Sequence, residues 1–359
     1  MSSLTNFQQI PVVDVTGLYG PPGEQAVVAQ ELRRVAGEVG FFYVLGHGVP
    51  EEDFQATLDH TKRFFALPLE EKMRVYIGNS TNHRGYVPVG EEGMYAGRDL
   101  EDDPNPDLKE AFDLSLELPA DDADYLAGNP MLGPNQWPEL DGMRQAVNRY
   151  YDATIAFGKK LLQGFALALG QPADVFDDKV QRAPSQLRLM HYPYDPAPSD
   201  QIGIGAHTDF EVFTLLRPTA PGLEVLNGAG EWVDVPPLPG AYVVNIADMM
   251  EIWSNGLFTS TTHRVRKVAE ERYSFPLFFN VDYDVLVEPL PELVRGDGTD
   301  KPPLRAGEHL YAQTVRFFRY LQRRLRAGEI EMPETWVATE ETFGRAAELE
   351  RAGTAAPSE

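Results

Sequence analysis

Two histidines and one aspartate set the hardest condition on how this chain can fold. His207-Thr208-Asp209 places an imidazole and a carboxylate two residues apart, so on an extended segment both project to the same face. A second imidazole, His263, comes much later, at the head of the alternating run His263-Arg-Val-Arg-Lys-Val268, which reads as strand. The three side chains can meet only if that distant strand lies beside the first. Two imidazoles and one carboxylate on one face of a metal leave three positions open, the arrangement by which non-haem Fe(II) takes an organic co-substrate and O₂ side by side.

A second pair follows the distal histidine. Arg272, Ser274, Pro276, Phe278 and Asn280 share one parity around the apolar stretch Tyr273-Ser-Phe-Pro-Leu-Phe-Phe279, so an arginine and a serine face inward together. Arginine offers a planar fork for a bidentate carboxylate contact, and the serine hydroxyl adds a further donor. A dicarboxylate that chelates the metal at its other end fits this pair. His-x-Asp alone is a weak signal, and His and Asp also suit Zn²⁺ in a hydrolase. A zinc hydrolase gives no reason for the Arg-x-Ser, so the ordered set of motifs within one β-rich region favours iron and an oxygenase.

From Gln186 to Val281 the chain resembles the double-stranded β-helix of the Fe(II)/2-oxoglutarate-dependent dioxygenases, in particular the isopenicillin N synthase-like family. Leu187-Arg-Leu-Met-His-Tyr-Pro-Tyr-Asp-Pro196, Asn245-Ile-Ala-Asp248 and Trp253-Ser-Asn-Gly256 share in that resemblance. So do Ile10-Pro-Val-Val-Asp14, Gly40-Phe-Phe-Tyr-Val-Leu-Gly-His-Gly-Val49, Phe64-Phe-Ala-Leu-Pro-Leu-Glu-Glu-Lys72, Arg84-Gly-Tyr86 and Lys109-Glu-Ala-Phe112.

The resemblance implies that His207, Asp209 and His263 ligate Fe(II). It implies that Arg272 and Ser274, helped by Tyr192, grip the far carboxylate of 2-oxoglutarate, with O₂ as co-substrate. The implied reaction is oxidation of a small molecule, such as an amino acid derivative or a specialised metabolite, with release of succinate and CO₂. Hydroxylation is the default outcome, and desaturation or cyclisation are its variants. Asp209 fills the position that halogenating relatives leave open for a halide. Met190 stands where plant members usually have an asparagine that touches 2-oxoglutarate. Isopenicillin N synthase uses its Arg-x-Ser for substrate and takes no 2-oxoglutarate, so an Fe(II) oxidase of that kind is the alternative. A jelly-roll protein that stores or senses a ligand is a third reading, and it predicts metal binding without turnover.

The expected architecture is α+β. A jelly-roll catalytic core spans 186–290, preceded over 1–185 by a helical region with short strands that belongs to the same globule. A C-terminal helical segment over 291–330 packs on the barrel, and a tail over 331–359 is expected to be partly disordered. Ala26 to Val39 and Asp53 to Leu67 carry helical periodicity. Leu140, Met143, Val147, Tyr151, Thr154, Phe157, Leu161, Phe165 and Leu169 trace one face of a long helix ending at Gly170. Turns such as Ala220-Pro-Gly-Leu223 and Pro236-Pro-Leu-Pro-Gly240 punctuate the β-rich part. Leu310, Thr314, Phe317, Leu321 and Leu325 mark a single C-terminal helix.

Charge and cysteine usage narrow the class. A net charge of −24 over 359 residues disfavours nucleic acid and anionic membrane, which demand basic surface. The absence of cysteine removes disulfides and thiol-based zinc or redox sites. The start, Met-Ser-Ser-Leu-Thr-Asn-Phe-Gln, lacks the basic and apolar regions of a signal peptide, and the expected location is the cytoplasm. The oligomeric state stays open.

Arg84 and Tyr86 are candidates for substrate contact, because loops from the helical part would lie over a jelly-roll mouth. Phe278 shares the inward parity of Arg272 and lines either cavity or core. Arg188, Met190 and Tyr192 share a face, so His191 should point away. His47, between two glycines, reads as structural, and His60, His83 and His309 carry no functional signal. The acidic stretch Glu91 to Asp107 reads as a solvated face or as a lid.

Overall fold

The computed structural model describes residues 4–93, 107–194 and 203–333. Strands form where aromatic and β-branched residues concentrate. The N-terminal region supplies β1 (Val12–Asp14), β2 (Phe41–Leu45), β3 (Gly85–Val87) and β4 (Glu110–Leu114). The remainder supplies β5 (Gln186–Tyr192), β6 (Ile204–His207), β7 (Phe213–Pro218), β8 (Leu223–Leu226), β9 (Trp232–Asp234), β10 (Tyr242–Ile246), β11 (His263–Val265) and β12 (Arg272–Phe279).

They build an eight-stranded sheet in the order β1-β2-β10-β7-β12-β5-β4-β3 and a four-stranded sheet in the order β6-β11-β8-β9. The chain passes back and forth between the sheets, with β5, β7, β10 and β12 in the larger and β6, β8 and β11 in the smaller, which is the jelly-roll winding. Residues of both sheets line one cavity. The N-terminal strands extend the larger sheet at both edges, β1 and β2 beyond β10, and β4 and β3 beyond β5.

Register decides which side chains meet. Arg272 pairs with Tyr192, and Ser274 with Met190, across β12 and β5. His263 pairs with His207 across β11 and β6, and the pairing then slips before Val265. That irregularity is a bulge-like feature of the kind that re-aims side chains beside a site.

The long helix spans Met143–Ala168, and the predicted stripe from Met143 through Phe165 is buried. It packs on the helices Pro22–Glu38 and Glu51–Phe65 and against β12. Gly158 permits the close approach to the sheet, since a Cβ there would lie 2.4 Å from Phe279 Cδ2.

The C-terminal segment differs from expectation. The periodicity predicts one helix, but two form, Ala306–Phe317 and Arg319–Arg326, broken at Phe318 with φ −114° and ψ 123°. The break has a tertiary cause: Phe318 bridges Glu92 in antiparallel fashion. Around it, Gly93 N–H donates to the Phe317 carbonyl at 3.1 Å and Arg319 N–H to the Glu91 carbonyl at 3.0 Å. The acidic stretch between Gly93 and Asp107, and the tail from 334, lie outside the described residues. Among the described residues no helix is long and apolar enough to cross a membrane.

Candidate metal centre

His207 ends β6, Asp209 follows in the irregular segment between β6 and β7, and His263 opens β11. One potential ligand atom from each lies within 4.8 Å of the other two. His207 Nδ1 is 2.8 Å from the Gly205 carbonyl, and His263 Nδ1 is 3.2 Å from the Thr261 carbonyl. A carbonyl only accepts, so each ring carries its proton on Nδ1 and presents the Nε2 lone pair. Those two Nε2 atoms stand 3.5 and 3.6 Å from Asp209 Oδ1. The other carboxylate oxygen, Oδ2, accepts from the Thr214 hydroxyl and from Asn245 Nδ2 at 2.8 Å. The carboxylate is thereby oriented with Oδ1 towards the imidazoles.

Burial opposes a charge on Asp209, but His263 and His207 beside it prevail and hold its carboxyl below the usual range. Burial, with the neighbouring His207, brings His263 down to about 4. His207 shifts the other way, raised against its burial by Asp209, so in the metal-free site the carboxylate is shared with one imidazole, and a divalent metal would displace that proton.

Arg272 lies on β12 in the same cavity and is fully buried. Its Nε donates to the Ala220 carbonyl at 3.1 Å, and its guanidinium carbon sits 4.6 Å from the centre of the Tyr192 ring. Nη1 is buried with no hydrogen-bond partner among the described residues. Burial lowers the Arg272 pKa, the mark of a cation without a counter-charge. Ser274 and Tyr192 line the cavity beside it. Met190 does too, and its Sδ takes the Tyr192 hydroxyl at 3.8 Å. Three metal-ligand atoms and an orphaned guanidinium in one cavity fit an iron ion and a dicarboxylate.

Comparison with known proteins agrees with this geometry. Residues 10–140 match the sequence model of the non-haem dioxygenase N-terminal region named for morphine synthesis, and residues 183–281 match that of the 2OG-Fe(II) oxygenase superfamily. The chain belongs to the 2OG-Fe(II) oxygenase superfamily. It is 35% identical to the 2-oxoglutarate-Fe(II) type oxidoreductase hxnY of Emericella nidulans, over 89% of this chain and 96% of that protein. It is 33% identical to the homoarginine-6-hydroxylase 2-ODD-233 of Oryza sativa subsp. japonica, over 88% of this chain and 99% of that protein. The crystal structure of a full-length Neurospora crassa protein in complex with alpha-KG and thymine superimposes with a TM-score of 0.72 at 25% identity, covering 91% of this chain and all of that one. The oxygenase is thus a dioxygenase-type oxidoreductase that uses Fe(II) and 2-oxoglutarate on a small molecule.

The rest of the oxygenase cavity's lining includes His83, Glu92, Arg188, Phe210, Glu211, Phe278, Phe317 and Phe318. Phe278 lines it, as do Arg188, Met190 and Tyr192 from their shared face. His191 points away, held between Glu110 Oε1 at 2.8 Å and Glu271 Oε1 at 2.9 Å. His47 is structural, bonded to the Gly240 carbonyl and to Val49 N–H.

Arg84 and Tyr86 depart from expectation, because neither reaches the cavity wall. Arg84 precedes β3 and Tyr86 lies within it, and both side chains are spent on buried partners rather than on the cavity that neighbouring His83 lines. The Arg84 guanidinium donates to the carbonyls of Asn82, His83 and Met131. The Tyr86 hydroxyl donates to Glu110 Oε2 at 2.6 Å.

His83, given no functional signal by sequence, does line the cavity. It adopts φ 61° and places Nδ1 2.7 Å from the Tyr320 hydroxyl. The described ends of the acidic stretch are not solvated either. Glu92 is buried against Lys109 at 2.5 Å and against both Nη atoms of Arg188 at 2.9 Å. Asn245 and Thr214, which orient Asp209, escape the sequence reading as well. Their signal is parity, since Thr214 is a hydroxyl residue in an apolar strand and Asn245 an amide in another.

Proposed function

We propose that His207, Asp209 and His263 hold the Fe(II), and that Arg272, Ser274 and Tyr192 hold the far carboxylate of 2-oxoglutarate. The substrate is a small molecule, an amino acid derivative or specialised metabolite, bound against Phe278 in the same cavity and hydroxylated, with desaturation or cyclisation as variants. The observation that carries this reading is the unpartnered, fully buried Arg272 Nη1 in the cavity that gathers the three ligand atoms. Homoarginine and thymine, named with two similar proteins, are both small and nitrogen-rich, which supports the substrate size. The charge and the absence of cysteine support a cytoplasmic location.

When bound, iron and 2-oxoglutarate supply the oxidising chemistry with O₂. The chain supplies the rest. The Gly205 and Thr261 carbonyls fix both imidazole tautomers, Thr214 and Asn245 fix the carboxylate, and Arg272 fixes the co-substrate's orientation in a cavity with apolar walls.

The test is anaerobic reconstitution with Fe(II) followed by 2-oxoglutarate, watching for the weak visible metal-to-ligand charge-transfer band. The band should form in the wild type and weaken in Arg272→Ala. Iron bound without a band would overturn the co-substrate assignment and turn Arg272 to the substrate instead.

A further inference from the structure

We infer that His83 binds an uncharged carbonyl oxygen of the substrate, that of an amide, lactam or ketone, through its Nε2–H, with one Nη1 proton of Arg188 as a second donor. This rests on the reading of the cavity proposed above and names the substrate class that the cavity selects.

The backbone gives the first sign. His83 holds φ 61°, a left-handed conformation that is strained for a residue with a side chain and persists only where its surroundings impose it. Arg84 imposes it: its N–H donates to Ser80 Oγ at 3.1 Å, and its Nη1 donates to the carbonyls of Asn82 and His83 at 2.9 Å. The turn held in this way sets the His83 ring in the cavity lining.

The network around the ring fixes its tautomer. Nδ1 lies 2.7 Å from the Tyr320 hydroxyl, and this is the only side-chain hydrogen bond of either residue among the described residues. Tyr320 is buried, and a buried phenol spends its proton on an acceptor, so the hydroxyl donates and Nδ1 accepts. Burial, with Arg84 and Arg188 nearby, holds His83 well below its ordinary pKa, and the ring stays neutral. A neutral ring that accepts at Nδ1 carries its proton on Nε2, where it is left over for a ligand.

Arg188 adds a donor beside it. A guanidinium has five N–H donors, and Arg188 commits four of them to Asp113 and Glu92 at 2.8–3.0 Å, which leaves one proton on Nη1. Phe318 joins the two residues: its ring centre is 4.5 Å from that of His83, edge-on at 85°, and 5.5 Å from the Arg188 guanidinium carbon. All three line the cavity. Both carboxylate oxygens of Glu92 already accept from Arg188 or Lys109. Two N–H donors in such a setting suit an oxygen that has lone pairs and no proton to place. The charges favour a neutral one, because Arg188 and Lys109 are matched by Glu92 and Asp113 and leave no cation over for a carboxylate.

The experiment uses the full chain loaded anaerobically with Fe(II) and 2-oxoglutarate. Benzamide, benzoate, benzylammonium and toluene are titrated by calorimetry, with the charge-transfer band read in the same samples. Benzamide should bind about ten-fold or more tighter than toluene, the worth of two neutral hydrogen bonds, with benzoate no tighter than benzamide and benzylammonium weaker than both. Two variants remove the donor: His83→Phe keeps a ring, and His83→Asn keeps a residue that tolerates the positive φ. In either, toluene should bind as before and the benzamide preference should shrink to about three-fold or less.

Equal binding of benzamide and toluene to the wild type would overturn the carbonyl site, as would no binding by any probe or a preference that survives in the variants. Benzoate or benzylammonium binding tighter than benzamide would overturn the uncharged class. The order of the four probes is a wild-type property, read whether or not the variants fold. Absence of the band marks failure of the co-substrate assignment, while a band without benzamide preference marks failure of the carbonyl site alone.

Discussion

The two walls of the cavity are built by different means. The wall proposed for metal and co-substrate is made by strands: β6 and β11 carry the histidines, β12 carries Arg272 and Ser274, and β5 carries Tyr192. There the backbone period of two decides which way each side chain faces, so spacing in sequence becomes spacing in the site. The other wall is joined from the His83–Gly93 region and the break between the two C-terminal helices. Its members are held by contacts such as Glu92 to Arg188 and His83 to Tyr320. No local rule announces it, because each part is placed by a partner remote in the chain.

The largest effect should fall on the strand-built wall. His263→Ala should abolish both tightly bound Fe(II) and turnover, read by metal content and succinate release. A variant that keeps iron at wild-type stoichiometry would remove His263 from the ligand set. Arg272→Ala comes next: losing a buried charged partner costs ~2–5 kcal/mol, so the 2-oxoglutarate dissociation constant should rise roughly thirty-fold or more. An unchanged constant would break the assignment of that wall to the co-substrate. Asn245→Ala frees one oxygen of Asp209 from its orienting bond and should weaken iron about 10- to 100-fold, measured by metal competition.

Two smaller effects sharpen the contrast outside the strands. Arg84→Ala leaves three carbonyls without their donor and should cost about 2–4 kcal/mol of stability in denaturant unfolding. The 2-oxoglutarate affinity should be untouched. A change in substrate KM with no loss of stability would instead return Arg84 to the mouth of the barrel.

The smallest concerns Asp107, whose carboxyl is pushed up to about 6 by burial. A raised acid is protonated more readily in the folded chain, so the fold loses stability as pH climbs from the ordinary carboxylate range through 6. Asp107→Asn should therefore raise the melting temperature above pH ~6 and leave it unchanged near pH ~4. An equal gain at both values would point to packing rather than charge.

Some of the fold was written along the chain. The long helix followed from apolar residues at helical spacing, and Phe278 was placed by its parity with Arg272. Arg84 and Tyr86 show where such inference ends. Their neighbour His83 does reach the cavity, but Arg84 turns to three carbonyls and Tyr86 to Glu110, and which partner a buried side chain finds is not a local property. The expectation of a single C-terminal helix fails for a similar reason. Phe317 to Leu321 has helical periodicity, yet Phe318 gives up its helical backbone to bridge Glu92, a residue far away in sequence.

By itself the sequence determined the jelly-roll core and which residues are the candidates for metal and dicarboxylate, His207, Asp209, His263, Arg272 and Ser274, because these depend on side-chain identity and the strand period. The tertiary structure alone decided that Thr214 and Asn245 aim Asp209 and that Arg188 is neutralised by Glu92 and Asp113. Whether a charged group is paired depends on what lies within a few ångströms of it, and that distance is set by folding rather than by order in the chain.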